Sequence, residues 1–201
     1  MTYPDPSDPC NDASIDEPCD DIGKEGDITE HEVRCAQKNW CLGLLKISDA
    51  YRNDRRNFRP YAEEFIYEFY DFEEGRVFFR PTLAVFPNNF RTTFDGTLEY
   101  FIGANWDPND PDDDPNDGFA KKHFIRATYS NRVDEETIAI QRFGNVAVAM
   151  GNVCLTERVA GGEKTTVVDK VFAYRKDDDH NLKLIVHMSA LRNEPGKPAV
   201  E

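Results

Sequence analysis

No stretch of this 201-residue chain approaches the roughly 18 consecutive apolar residues that a membrane-crossing helix needs, which sets membrane-spanning proteins aside. Basic residues are scarce as well. Twenty-four Lys and Arg stand against 38 Asp and Glu, for a net charge of -14 and a mean hydropathy of -0.66. Such a chain repels phosphate backbones, and no segment gathers the basic face that nucleic-acid binding draws on, so nucleic acid is not expected as a partner. The four histidines (His31, His123, His180 and His187) show no His-x-His or His-x-x-x-His spacing, which argues against a three-histidine zinc centre. A nucleophile elbow Gly-x-Ser-x-Gly and a glycine-rich phosphate loop are also missing, and with them the usual signatures of acyl and phosphoryl transfer. Met1 to Pro6 carries neither a charged n-region nor an apolar h-region, so no secretory signal is expected.

The five cysteines, Cys10, Cys19, Cys35, Cys41 and Cys154, are odd in number and include no Cys-x-x-Cys. In a chain long enough for an ordinary core, a disulfide framework is not expected. The reading at this point is reduced thiols in an intracellular compartment.

Residues 1–28 hold nine carboxylates, four prolines and one lysine, so -8 of the charge sits in a stretch with almost nothing to bury. This reads as a disordered acidic arm. The ordered domain is expected over 29–192, followed by a flexible tail over 193–201. Thr29-Glu30-His31-Glu32 is a capping box. After it, Val33, Ala36, Trp40, Leu44, Ile47 and Tyr51 recur in steps of three and four, one stripe of a long amphipathic helix. A second helix is expected from Pro60 to about Tyr70, with proline in its first turn, and a third from Thr93 to Ile102, closed by Gly103. Arg76 to Arg80 reads as a short strand. From Lys121 the period changes to two, with strands expected near 121–130, 137–142, 145–157, 165–176 and 182–191. Helices followed by an antiparallel meander give an α+β fold, helices on one face of a curved sheet.

Two segments invite functional readings. In the acidic loop 107–118, Asp113 to Gly118 places a glycine sixth, as a calcium loop would. Its third position is Pro115, however, and the position for a bidentate glutamate is Phe124, so a solvated loop is the better reading. In the last strand, alternation puts Ile185, His187, Ser189 and Leu191 on one face. A histidine and a hydroxyl would then look into a partly apolar pocket; the pattern alone fits a satisfied core histidine at least as well.

Phe79-Arg80-Pro81-Thr82-Leu83-Ala84, Phe90-Arg91-Thr92-Thr93-Phe94-Asp95-Gly96, Tyr100-Phe101-Ile102-Gly103, Ala149-Met150-Gly151-Asn152, Phe172 to Asp178 and His187-Met188-Ser189-Ala190-Leu191 follow one another in that order. Over roughly residues 30–192 this series resembles the iota-class carbonic anhydrases of algae and bacteria, relatives of the SnoaL-like and calcium/calmodulin-dependent kinase II association domains. The resemblance implies a nuclear-transport-factor-2-like cone, a homodimer formed through the sheet, CO2 and bicarbonate as small-molecule substrates, and a plastid compartment if the source is algal. It also implies a site without a metal cofactor, manganese or another divalent metal being the alternative left open. By motif, the hydroxyls around the bicarbonate site fall on Thr82, Tyr100 and Ser189, and His187 matches the first histidine of the family's His-His-Ser-Ser ending. Met188 and Ala190 replace the second histidine and second serine, on the opposite face of the strand from Ser189.

Hydrating CO2 takes an oriented water, donors toward the oxygen that gains charge, and a proton acceptor. Thr82, Tyr100 and Ser189 are expected to orient and donate, His187 to accept the proton, and Trp40, Phe65, Phe79 or Phe101 to line an apolar wall. The alternative is a non-catalytic small-molecule-binding or oligomerisation module on the same fold.

Overall fold

The computed structural model describes Cys10, Cys19 and residues 23–134 and 137–191. Most of the acidic arm and the tail 193–201 therefore lie outside the described residues. Helix α1 spans Glu30–Asn53, and Thr29 caps it through the expected reciprocal pair: Glu32 N–H donates to Thr29 Oγ1 at 3.1 Å, and Thr29 N–H donates to Glu32 Oε2 at 2.8 Å. The other Glu32 oxygen accepts from Lys176 Nζ at 2.8 Å, so one buried carboxylate both starts the helix and neutralises a lysine of the sheet. Burial pushes the Glu32 carboxyl up, yet the bonds from Lys176 and Thr29 outweigh that and hold it below its ordinary value. Lys176 Nζ also donates to the Lys24 and Gly26 carbonyls, and Ile28 is buried. The described residues just before Thr29 thus lie packed on the domain.

Helix α2 runs Arg55–Phe69, beginning five residues earlier than Pro60 suggested. The early start is a tertiary effect. Phe58 packs edge-on against Trp106 at 4.7 Å and against Tyr51 at 5.1 Å, with the Arg55 guanidinium 4.6 Å from the Trp106 ring. The two helices approach closely where α1 carries Gly43. A Cβ there would come within 2.5 Å of the Phe65 ring. Helix α3 is Phe94–Ile102, capped by Thr93 and ended by Gly103 at φ +90.

The strands are β1 Phe78–Arg80, β2 Phe124–Ser130, β3 Ile140–Phe143, β4 Val146–Val159, β5 Gly162–Lys176 and β6 Leu182–Leu191. The α+β class is as expected. The sheet order is β1-β6-β5-β4-β2, with β3 also paired to β4. One departure is that β1 pairs with β6 in parallel, Phe79 opposite His187, so the sheet is mixed rather than a pure meander. A second is a bulge: Tyr174 pairs Leu184 but Ala173 pairs Val186, leaving Ile185 as the extra residue. The inward set on β6 is therefore Leu184, His187 and Ser189, not a run through Ile185 and Leu191.

The acidic loop closes around a lysine. Lys121, buried in a single 3-10 turn (Phe119–Lys121), donates to Asp113 and Asp117. Among the described residues no cluster of three or more potential metal ligands occurs.

The expectation of reduced thiols does not hold. Cys10 is bonded to Cys154 of β4, and Cys19 to Cys35 of α1, across 144 and 16 residues of sequence. Neither pairing could be read from spacing, because the fold alone brings such distant positions together. Cys41 stays free and buried, its thiol pushed up to about 12 by burial. Thiol titration of the unreduced protein should accordingly find one reactive group, and only after denaturation. Five should appear once reductant is added, and more than one thiol in the unreduced, unfolded chain would contradict the pairing.

Candidate active site

The site grows from the middle of β6, where Phe79 of β1 and the parallel ladder hold His187 between two layers. Its imidazole stacks on Phe79 at 4.3 Å and meets Trp40 of α1 edge-on at 5.6 Å, with Phe172 of β5 4.7 Å away. Phe65 contacts Trp40, and Phe101 stacks on Phe79. All four aromatic residues expected to form an apolar wall thus belong to one cluster around the imidazole.

Inside this wall runs a chain of hydrogen bonds. Trp40 Nε1–H donates to Tyr70 Oη at 3.2 Å, Tyr70 Oη lies 2.9 Å from His187 Nδ1, and His187 Nε2 lies 3.0 Å from Ser189 Oγ. Lys170 of β5, directly across the ladder from Ser189, closes a triangle: its Nζ is 2.8 Å from His187 Nε2 and 2.7 Å from Ser189 Oγ. His187, Ser189 and Lys170 are all nearly inaccessible. Burial, then the neighbouring Lys170, hold His187 well below its ordinary range, so at neutral pH the ring is uncharged. Burial also drives the Tyr70 phenol far up, and the nearby Tyr100 phenol adds to that rise.

The sequence reading brought forward four residues, and the structure joins two of them directly, His187 and Ser189. Tyr100 stands on the other side of the Phe79 ring, 5.4 Å from it edge-on, and stacks on Phe119 at 5.3 Å. Its phenol, raised by burial, bonds the backbone of Leu83, the residue after Thr82. Thr82 is half-buried and makes no side-chain hydrogen bond among the described residues. The site therefore has two halves with Phe79 between them. Tyr100 borders a cleft of about 330 Å³ with Leu83, Arg91 and Phe119. A second cleft, of about 440 Å³, lies on the outer face of the sheet among Met150, Asp169, Val171 and Met188.

Lys170 escaped the sequence reading because a lysine in a strand usually faces water. The signal that would have found it is its phase. Val168, Lys170, Phe172 and Tyr174 alternate inward along β5, and all four are buried. Met188 and Ala190 face away from the cluster, Met188 being exposed, so the family's missing second histidine and serine were never part of this face.

Helices laid across one face of a sheet, with this polar cluster enclosed between them, define an α+β protein of the cone type. A family model described as metal-independent carbonic anhydrase matches residues 31–191. A metal-independent carbonic anhydrase from Nostoc sp. is 39% identical over 168 residues, 83% of this chain and 75% of that protein. The crystal structure of the iota-carbonic anhydrase from a cyanobacterium, complexed with bicarbonate, superposes with a TM-score of 0.68 at 38% identity, over 84% of this chain and 94% of that one. A nuclear transport factor 2-like protein from Salmonella enterica gives a TM-score of 0.42 at 14% identity, over 77% of this chain and 94% of its own. The chain belongs to the metal-independent carbonic anhydrase family.

Replacing Tyr70 with Phe strands the Trp40 N–H and the His187 Nδ1 in an apolar core. Leaving buried polar atoms unpaired costs about 1–3 kcal/mol, so Tyr70→Phe should lower the urea midpoint by a corresponding amount. An unchanged midpoint would show that the chain of bonds carries no stability.

Proposed function

We propose that this protein catalyses the reversible hydration of CO2 to bicarbonate without a metal, on the buried polar cluster of β6. The observation that carries this reading is the setting of Ser189. Its hydroxyl sits within 3.0 Å of two nitrogen groups inside an aromatic wall, in a chain whose family performs that reaction. Carbon dioxide is neutral and apolar, so an aromatic enclosure receives it and the net charge of -14 does not repel it.

In this reading Ser189 hydrogen-bonds the attacking water and then the anionic oxygen of the bicarbonate that forms. Tyr100, whose phenol bonds the backbone of Leu83, and Thr82, the residue before it, supply the further hydroxyls from beyond Phe79. His187 is the uncharged partner that fixes the direction of the Ser189 hydroxyl. A fixed donor in a water-poor site stabilises developing charge strongly, and losing one costs roughly 10²–10³ in rate. The expected result is CO2 hydration that withstands chelator and falls by about that factor in Ser189→Ala, with a smaller loss in Tyr100→Phe. Activity abolished by chelator would overturn the metal-free reading, and full activity in Ser189→Ala would overturn the placement of the site.

The same reading includes a homodimer through the outer face of the sheet. Met188, Val171 and Met150 stand in one row across β6, β5 and β4, with Phe78 beside them, and Phe78, Met150 and Met188 are exposed. Sedimentation should show a dimer that Met188→Glu shifts toward monomer; a monomeric wild type would remove the proposal. The paired cysteines support a compartment that tolerates disulfides rather than a strongly reducing one.

A further inference from the structure

Three lysines of the described structure are buried, and two of them have carboxylates. Lys176 is paired with Glu32, and Lys121 with Asp113 and Asp117. Lys170, 5% exposed, has none. Its Nζ meets His187 Nε2, Ser189 Oγ and two ring faces, Trp40 at 4.9 Å and Phe172 at 5.8 Å. The titratable groups that act on it are Cys41 of α1 and His187 of β6, with Tyr70 beyond His187 on the hydrogen-bond chain. Burial drives the thiol and the Tyr70 phenol up and the imidazole down, so all three are uncharged at neutral pH. The flanking Asp169 belongs to the opposite face of β5, where it bonds Asn152. An unpaired ammonium in such a place is costly.

The hydrogen-bond pattern leads to the same result by a separate route. Indole nitrogen only donates, so Tyr70 Oη accepts from Trp40 and sends its own hydrogen to His187 Nδ1, its one other partner among the described residues. A neutral imidazole that accepts at Nδ1 carries its proton on Nε2. An ammonium, with three donors and no lone pair, would then oppose an N–H at 2.8 Å. A neutral amine has the lone pair that this N–H requires. Desolvation acts in the same direction, lowering Lys170 to about 7, with Cys41 opposing it slightly.

Resting on the carbonic anhydrase reading above, we propose that Lys170 is the proton-accepting residue of this site and works through Ser189. The triangle supports two arrangements with the heavy atoms fixed. In one, His187 N–H donates to Lys170, Lys170 N–H to Ser189, and the Ser189 hydroxyl points outward to hold an anionic oxygen. In the other, His187 N–H donates to Ser189 Oγ and the Ser189 hydroxyl donates to the amine lone pair, so the serine oxygen faces outward as an acceptor. The second arrangement is the one poised for hydration. Water oxygen bonds to the carbon of CO2, and one C=O electron pair moves onto oxygen. The water O–H breaks as its proton passes to Ser189 Oγ while the serine proton passes to Lys170 Nζ. Bicarbonate and a lysine ammonium result, and the ammonium returns its proton to solvent or buffer before the next turnover. Because the unprotonated amine is the active form, hydration rises as pH rises through the range in which Lys170 loses its proton.

The test combines two readouts on the full chain. Lysine side-chain NMR of the wild type, with labelled Cε and Nζ, should show one lysine that titrates several units below the rest, and that signal should be missing in Lys170→Met. CO2 hydration by Lys170→Met, a substitution of similar length, should fall by on the order of 10²–10⁴, the usual contribution of a positioned base, and its pH profile should lose the limb near neutrality. If every lysine titrates in the ordinary range, the proposal is overturned whether or not the variant folds. Hydration that persists in a folded Lys170→Met with the wild-type pH profile overturns the lysine's role alone. Absence of hydration in the wild type overturns the carbonic anhydrase reading and this role with it.

Discussion

An indole nitrogen gives a hydrogen bond and takes none, and that one-way valence at Trp40 orders the polar cluster around His187. Because Trp40 donates, Tyr70 must pass its proton to His187, and His187 must present its other nitrogen as a donor toward Lys170 and Ser189. The chain joins the helix layer to the sheet at the point where the core is most aromatic, so each member is held by packing as well as by its partner. A serine in water is free to turn; here it is one vertex of a triangle whose polarity is set three hydrogen bonds away.

The parts of the fold that local chemistry dictates were legible. The Thr29 to Glu32 box, the stripe from Val33 to Tyr51 and the Gly103 stop each declare themselves within a few residues, and the structure has them where the sequence put them. What failed to show depended on distance. The early start of α2 needs Trp106, the parallel pairing of β1 needs a strand more than a hundred residues later, and the two disulfides join positions no spacing rule connects. The bulge at Ile185 misled the alternation in β6, though it left His187 and Ser189 facing inward.

The candidate site was half legible for the same reason. His187 and Ser189 stand two apart on one strand, and strand periodicity alone unites them. Tyr70 and Lys170 come from the end of a helix and from another strand. Lysine in particular carries a solvent-facing expectation that only the buried phase of its neighbours reverses. Family motifs pointed to Thr82 and Tyr100, which composition and periodicity could not suggest, and the structure sets the Tyr100 phenol against the backbone of Leu83, the residue after Thr82, on the far side of Phe79.

The Cys10–Cys154 bond changes what the N-terminal arm is mechanically. Cys154 lies within β4, a strand flanked by β5 on one side and by β2 and β3 on the other. A pull on the arm therefore does not peel α1 away from its first turn, one hydrogen bond at a time. The load enters at an interior strand and is shared by ladders on both of its edges, which must slide together before any one gives. The same covalent link closes a ring that contains all three helices, so a single cut in any surface loop between the two cysteines would leave one linked molecule rather than two pieces.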